Sequence, residues 1–132
     1  MTTVGTALPT LEVTVEPEPM KPFALLLRDP NPIHLDPEVV RALGLGDRVI
    51  NQGPINAGYL WEMLTRWLGD AAHVRVLDLR FTSNAYAGDR LVAGGEVVAV
   101  VDGQASCRVW LRTVDGRDVV TGTADVRLPE ED

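Results

Sequence analysis

Two Asp-Gly pairs, Asp102-Gly103 and Asp115-Gly116, constrain this chain more than any other feature, because each separates runs that alternate apolar and polar residues. A type I′ turn needs positive φ at both central positions, which Asp and Gly tolerate, so each pair predicts a tight hairpin. Residues 74 to 128 accordingly read as four strands of an antiparallel meander. Leu77, Leu79 and Phe81 share one side of the first strand, and Val97, Ala99 and Val101 one side of the second. Cys107, Val109 and Leu111 do so in the third, and Val120, Gly122, Ala124 and Val126 in the fourth. Ahead of them, Ile55 to Leu68 carries apolar residues at Ile55, Tyr59, Leu60, Met63, Leu64, Trp67 and Leu68, the spacing of a helix with a wide buried face, and Gly69 stops it. A twisted sheet buries such a helix best by wrapping around it. The expected class is therefore α+β, an antiparallel β-sheet wrapped around a central α-helix.

Eight of the nine prolines fall within the first 54 residues, which confines regular structure there to short pieces, a strand at Leu11 to Glu16 and a helix around Pro22 to Arg28. A chain of 132 residues can sustain one core, so residues 1–132 are expected to form a single domain with a solvated acidic tail at about 129–132. Neither a spanning apolar run nor a secretory signal is visible, which predicts a cytoplasmic protein without membrane association. Cys107 is the only cysteine, and the two histidines have no carboxylates at ligand spacing, so neither a metal nor another cofactor is expected. With 12 basic against 19 acidic residues the net charge is −7, which disfavours nucleic acid. An anionic ligand would need a local group such as Arg41, Arg48 and Arg90.

The segment Arg28 to Pro37, RDPNPIHLDP, places the carboxylate of Asp29 five residues before the imidazole of His34, with Asn31 and Pro32 between them. Residues before proline are biased away from helix, so this is a stiff extended loop or turn that fixes both side chains. Two readings are open. In one, Asp29 and His34 form an acid–base dyad sharing one water. In the other, Asp29 and Asn31 form Asx turns and His34 caps the helix that begins after Asp36-Pro37.

DPNPIHLDPE, followed by VVRALGLGDRVINQGPINAGYL, resembles the MaoC-like (R)-specific enoyl-CoA hydratase family, and RFTSNAYAGDRLVAGGEV is similar to that family's strand, loop, Gly-Asp and strand passage. The resemblance implies a hot-dog fold and reversible hydration of a trans-2-enoyl-CoA to a 3-hydroxyacyl-CoA. It implies Asp29 and His34 as the catalytic pair, Asn31 as the asparagine that orients them, and Gly53 as the backbone donor to the thioester carbonyl. Gly53 opens the central helix, where unpaired N–H groups and the positive dipole end point outward, so that role is also physically sensible. Leu27-Arg28, Gln52 and Pro54 depart from the family pattern. Arg28 is expected either to narrow the site or to pair with Asp29, Gln52 to alter support of the helix start, and Pro54 to fill a first-turn position that needs no N–H. Ala57, Gly58 and Ala85 are small enough to leave room for a bulky or steroid-like acyl chain. The resemblance also implies a homodimer or a heteromer with another hot-dog subunit, and an exposed sheet edge is consistent with such pairing.

Two alternatives belong to other classes. A hot-dog acyl-CoA thioesterase would need a carboxylate on the central helix, where Glu62 is the sole acidic residue, although Arg66 at i+4 predicts a surface ion pair instead. A non-catalytic subunit of a heteromeric hydratase would not need Asp29, Asn31 and His34. Trp61 and Trp67 are read as core, His73 as an edge residue, Cys107 as a packed thiol, and Gly88, Gly94 and Gly95 as turn and bulge positions.

Overall fold

The computed structural model describes residues 2–130, so Met1 and the last two residues of the acidic tail lie outside the description. Its elements are β1 (Leu11–Thr14), α1 (Met20–Leu26), a 3-10 turn at Pro32–His34, α2 (Pro37–Ala42), α3 (Gly53–Leu68), a second 3-10 turn at Ala71–His73, β2 (Val74–Phe81), β3 (Arg90–Val101), β4 (Gln104–Thr113) and β5 (Asp118–Arg127). All five strands form one antiparallel sheet in the order β1-β3-β4-β5-β2. Helix α3 packs against every one of them. Its buried stripe, Asn56, Leu60, Met63, Leu64 and Leu68, meets an inner face that includes Leu91, Ala93, Val109 and Leu111. The sheet thus wraps the helix, which is the expected architecture. Among the described residues no helix is long and apolar enough to cross a membrane.

The meander holds only for β3, β4 and β5. β2 pairs with β5 and not with β3, because Gly69 and the second 3-10 turn bring the chain out at the far end of α3, where β5 offers a free edge. The chain then returns past the start of α3, where the Asn51 N–H donates to the Ala85 carbonyl at 2.8 Å, before entering β3. The two hairpins also differ. Asp102 and Gly103 both have positive φ, as a type I′ turn requires, whereas at Asp115-Gly116 only Gly116 does. There the Gly116 N–H donates to the Thr113 carbonyl at 2.9 Å, a longer loop in which the glycine alone takes the left-handed position.

Alternation along β3 breaks between Val97 and Ala99, where a bulge shifts the register. Val97 is buried, but Ala99 and Val101 turn outward and Val100 packs on the core in their place. Gly94 and Gly95 are correspondingly not bulge residues. They pair regularly with Trp110 and Val109, and a Cβ on Gly95 would lie 2.5 Å from the Arg108 carbonyl oxygen, so glycine is needed for close approach. Leu77 and Leu79 pack against the core as expected, but Phe81 is 54% exposed, and so is Trp61 at 42%. Trp67 is packed against the core. Cys107 is fully buried, and desolvation pushes its thiol up to about 11, which leaves it an unreactive packing group.

Candidate active site

The proline-bracketed loop forms the Asx turns of one reading and brings together the Asp29 and His34 side chains of the other. Asp29 Oδ1 accepts from the Asn31 N–H at 3.1 Å, and Asn31 Oδ1 accepts from the Ile33 N–H at 3.2 Å, capping the 3-10 turn that carries His34. Asn31 therefore orients the carboxylate through its main chain and the histidine through its side chain. His34 is not a helix cap. The helix α2 is capped by Asp36, which accepts from the Glu38 N–H at 2.9 Å.

His34 is instead folded inward, 8% exposed, with Nδ1 at 2.6 Å from the Ile50 carbonyl oxygen. A carbonyl only accepts, so Nδ1 carries a proton and donates it to Ile50, which turns Nε2 toward Asp29. That Nε2 lies 3.3 Å from Asp29 Oδ2, with the carboxylate side chain 37% exposed. One proton can be shared across that gap, or a water can bridge it, and either arrangement suits acid–base chemistry. Among the described residues Arg28 does not pair with Asp29, whose side-chain neighbour is His34. The Arg28 backbone has φ 51°, in the left-handed region, as it ends the turn after α1.

Gly53 is the first residue of α3, as anticipated, with Gln52 as N-cap and Pro54 in the first turn. Ile50, which holds His34 Nδ1 through its carbonyl and donates its N–H to the Ile33 carbonyl at 2.9 Å, is only three residues away. Three extended residues span at most about 10 Å, so the dyad and the helix N-terminus lie on one short tether. Two hollows flank the pair. One, of about 350 Å³, is largely apolar and is lined by His34, Leu35, Val49 and Arg48 among others. The other, of about 460 Å³, is lined by Asp29, Pro30, Ala24, Leu25 and Leu35. Ala85 is fully buried, and a Cβ on Gly58 would meet nothing within 4 Å.

Sequence reading missed the buried amides that anchor the helix start. Gln52, 1% exposed, donates from Nε2 to the Met20 carbonyl at 2.8 Å, tying α1 to α3. Asn51 donates from Nδ2 to Asn56 Oδ1 at 2.9 Å and to the Tyr59 hydroxyl at 3.2 Å. Burial raises the Tyr59 phenol above its ordinary value and keeps it protonated. The available signal was Asn56, a polar residue one turn before Leu60 on the otherwise apolar stripe of α3. Glu62 takes the expected surface role, accepting from Arg66 Nη2 at 2.7 Å. His73 sits at the sheet edge with Nδ1 at 3.0 Å from the Arg127 carbonyl oxygen. Arg41, Arg48 and Arg90 do not form one group. Arg41 pairs with Glu38 on α2, whereas Arg48 and Arg90 line a separate hollow.

Comparison with known proteins agrees with this architecture. A family model described as the MaoC like domain matches residues 1–116. The beta subunit of the 3-oxo-4,17-pregnadiene-20-carboxyl-CoA hydratase of Mycobacterium tuberculosis is 33% identical over 128 residues, 97% of this chain and 98% of that protein. The crystal structure of the ChsH1-ChsH2 complex from the same organism superposes with a TM-score of 0.84 at 31% identity, covering 98% of this chain and 100% of the matched one. An (R)-hydratase of A. caviae involved in PHA biosynthesis gives a TM-score of 0.85 at 28% identity, covering 96% and 97%. A chain matched over nearly its whole length by that family model, and one-third identical to a hydratase subunit, belongs to the MaoC-like family of hot-dog hydratases and dehydratases.

Proposed function

We propose that this chain reversibly hydrates a trans-2-enoyl-CoA to a 3-hydroxyacyl-CoA, with Asp29 and His34 as the catalytic pair. The observation that carries this reading is the approach of His34 Nε2 to Asp29 Oδ2 at 3.3 Å in a fixed loop beside an apolar hollow. In the forward direction the pair removes a proton from water while the water oxygen bonds to C3. The double-bond electrons move toward the C1 carbonyl, which gathers enolate charge. The Gly53 N–H, at the positive end of a 16-residue helix, donates to that oxygen. The proton held by the pair then passes to C2, so one water is added and the enzyme is unchanged. Asn31 holds the carboxylate, and the Ile50 carbonyl holds the ring at Nδ1 with Nε2 toward Asp29.

The similar Mycobacterium tuberculosis protein is named as a beta subunit acting on 3-oxo-4,17-pregnadiene-20-carboxyl-CoA. By that similarity the acyl group is bulky and ring-bearing, and the partner is another hot-dog subunit. The apolar lining at Ala24, Leu25, Pro30 and Leu35, next to Asp29, suits such a chain. A thioesterase reading finds no support at Glu62, which is occupied by Arg66.

Incubating the protein, alone and with a hot-dog partner, with short, medium and sterol-side-chain enoyl-CoAs tests the proposal. The expected product is heavier than the substrate by one water with no release of free CoA thiol. Release of thiol without loss of the double bond would replace hydration by hydrolysis, and no turnover of any substrate in either assembly would remove the catalytic reading.

A further inference from the structure

Three guanidinium groups from separate parts of the chain converge on one hollow of about 670 Å³, lined by Arg48, Arg90, Arg117, Asp89, Asp115 and Tyr86 among others. Asp89 organises it. Its carboxylate, only 15% exposed, takes Arg48 Nη1 at 2.9 Å on Oδ1, and on Oδ2 it accepts from the Tyr86 N–H at 3.0 Å and faces Arg117 Nη2 at 3.7 Å. Arg48 Nη1 also donates to the Ala87 carbonyl at 2.9 Å, and its guanidinium lies 5.3 Å from the Tyr86 ring centroid. Arg117 is tied by Nη1 to the Ser83 hydroxyl at 2.5 Å and to the Asn84 carbonyl at 2.9 Å. The Asp115 carboxylate, also facing the hollow, is occupied by the Thr113 hydroxyl. Among the described residues the Arg90 side chain is held by a 3.7 Å approach to Glu12.

The protein acceptors thus fix Arg48 and Arg117 through part of each guanidinium and leave other N–H groups of both without a protein acceptor among the described residues. Fixed, partly unsatisfied guanidiniums are suited to phosphate oxygens, which accept in the same planar geometry. With Glu12 beside Arg90, the three arginines are balanced in charge by three carboxylates, so an anion would be held by the N–H groups left open rather than by a net local charge. Arg48 also lines the apolar hollow that contains His34, so the two hollows meet at one side chain.

We infer that the Arg48, Arg90 and Arg117 hollow binds the phosphate-bearing nucleotide end of the CoA thioester, while the apolar hollow beside it takes the uncharged arm that leads to the dyad. The inference rests on the hydratase reading above and names where that substrate's charged end is held.

The test compares one enoyl group carried on CoA with the same group carried on N-acetylcysteamine, which keeps the thioester and lacks the phosphates. The readout is the ratio of kcat/KM for the two carriers. Arg117→Gln, and Arg90→Gln should the first variant fail to fold, are expected to lower that ratio about tenfold, the size of one lost charge-assisted hydrogen bond. Arg108→Gln, on β4 and paired with Glu96 outside the hollow, leaves it at the wild-type value. A ratio within twofold of wild type in a folded Arg117→Gln or Arg90→Gln variant overturns the inference. Calorimetric titration with 3′-phosphoadenosine 5′-diphosphate separates the two claims. Binding that is weakened by Arg117→Gln supports the nucleotide site even if neither thioester is hydrated, whereas hydration of both thioesters with no nucleotide binding rejects the site and keeps the hydratase.

Discussion

Replacing Asp29 with Asn, or His34 with Ala, lowers the kcat for hydration of an enoyl-CoA by about 10² to 10⁴, the usual contribution of a positioned acid–base group. Asp29→Asn keeps the size of the side chain and an oxygen for the Asn31 N–H, but it replaces an acceptor with a donor facing His34. His34→Ala empties the position that receives the water's second hydrogen and also frees the Ile50 carbonyl. In the proposed mechanism both groups act on one water, so the effects are expected to be strongly non-additive, with the double variant little worse than either single one. Circular dichroism and thermal melting establish that each variant is folded. Additive losses in the double variant would mean that the two residues act at separate steps, and wild-type turnover in either single variant would remove it from the chemistry.

Leu60→Ala acts in the opposite way. Leu60 is fully buried in the centre of α3, on the stripe that meets the sheet, so truncation costs about 2 to 5 kcal/mol through lost transfer energy and the cavity left behind. For a chain of this length that lowers Tm by roughly 10 °C. Leu60 lies two turns beyond Gly53 and touches none of the reacting groups, so kcat per folded molecule at low temperature stays within severalfold of wild type. Urea denaturation followed beside the hydration assay checks both halves of this expectation. An unchanged unfolding midpoint would mean that α3 is not the centre of the core, and a loss of kcat as large as that of Asp29→Asn would mean that the chemistry depends on packing deep in the helix. The contrast separates residues that perform the reaction from those that hold the scaffold.

What could be read from the sequence was set by short-range signals. The stripe from Ile55 to Leu68, the Gly69 stop and the Asp102-Gly103 turn each depend on a few neighbouring residues, and each appears in the structure. The Asp29 to His34 loop was legible for the same reason, since prolines and Asx hydrogen bonds fix it locally. Features that depend on distant partners were not legible. Nothing in Val74 to Phe81 says that β5 rather than β3 is its neighbour, and the bulge after Val97 inverts the outward set of β3 without any glycine or proline to mark it. The buried amides of Asn51 and Gln52 read as ordinary loop residues, because their partners at Asn56, Tyr59 and Met20 are supplied by the fold. Arg48 and Arg117 likewise meet only through Asp89.

The central claim is that a single water, held between Asp29 and His34 on one side of the substrate, supplies both the hydroxyl at C3 and the proton at C2. Hydration of crotonyl-CoA in deuterium oxide reads this directly, because the faces of addition are recorded in the proton coupling between C2 and C3 of the product. Delivery from one site predicts a single diastereomer in which deuterium and hydroxyl have added to the same face. Addition to opposite faces, or a mixture of the two diastereomers at early conversion, would contradict it.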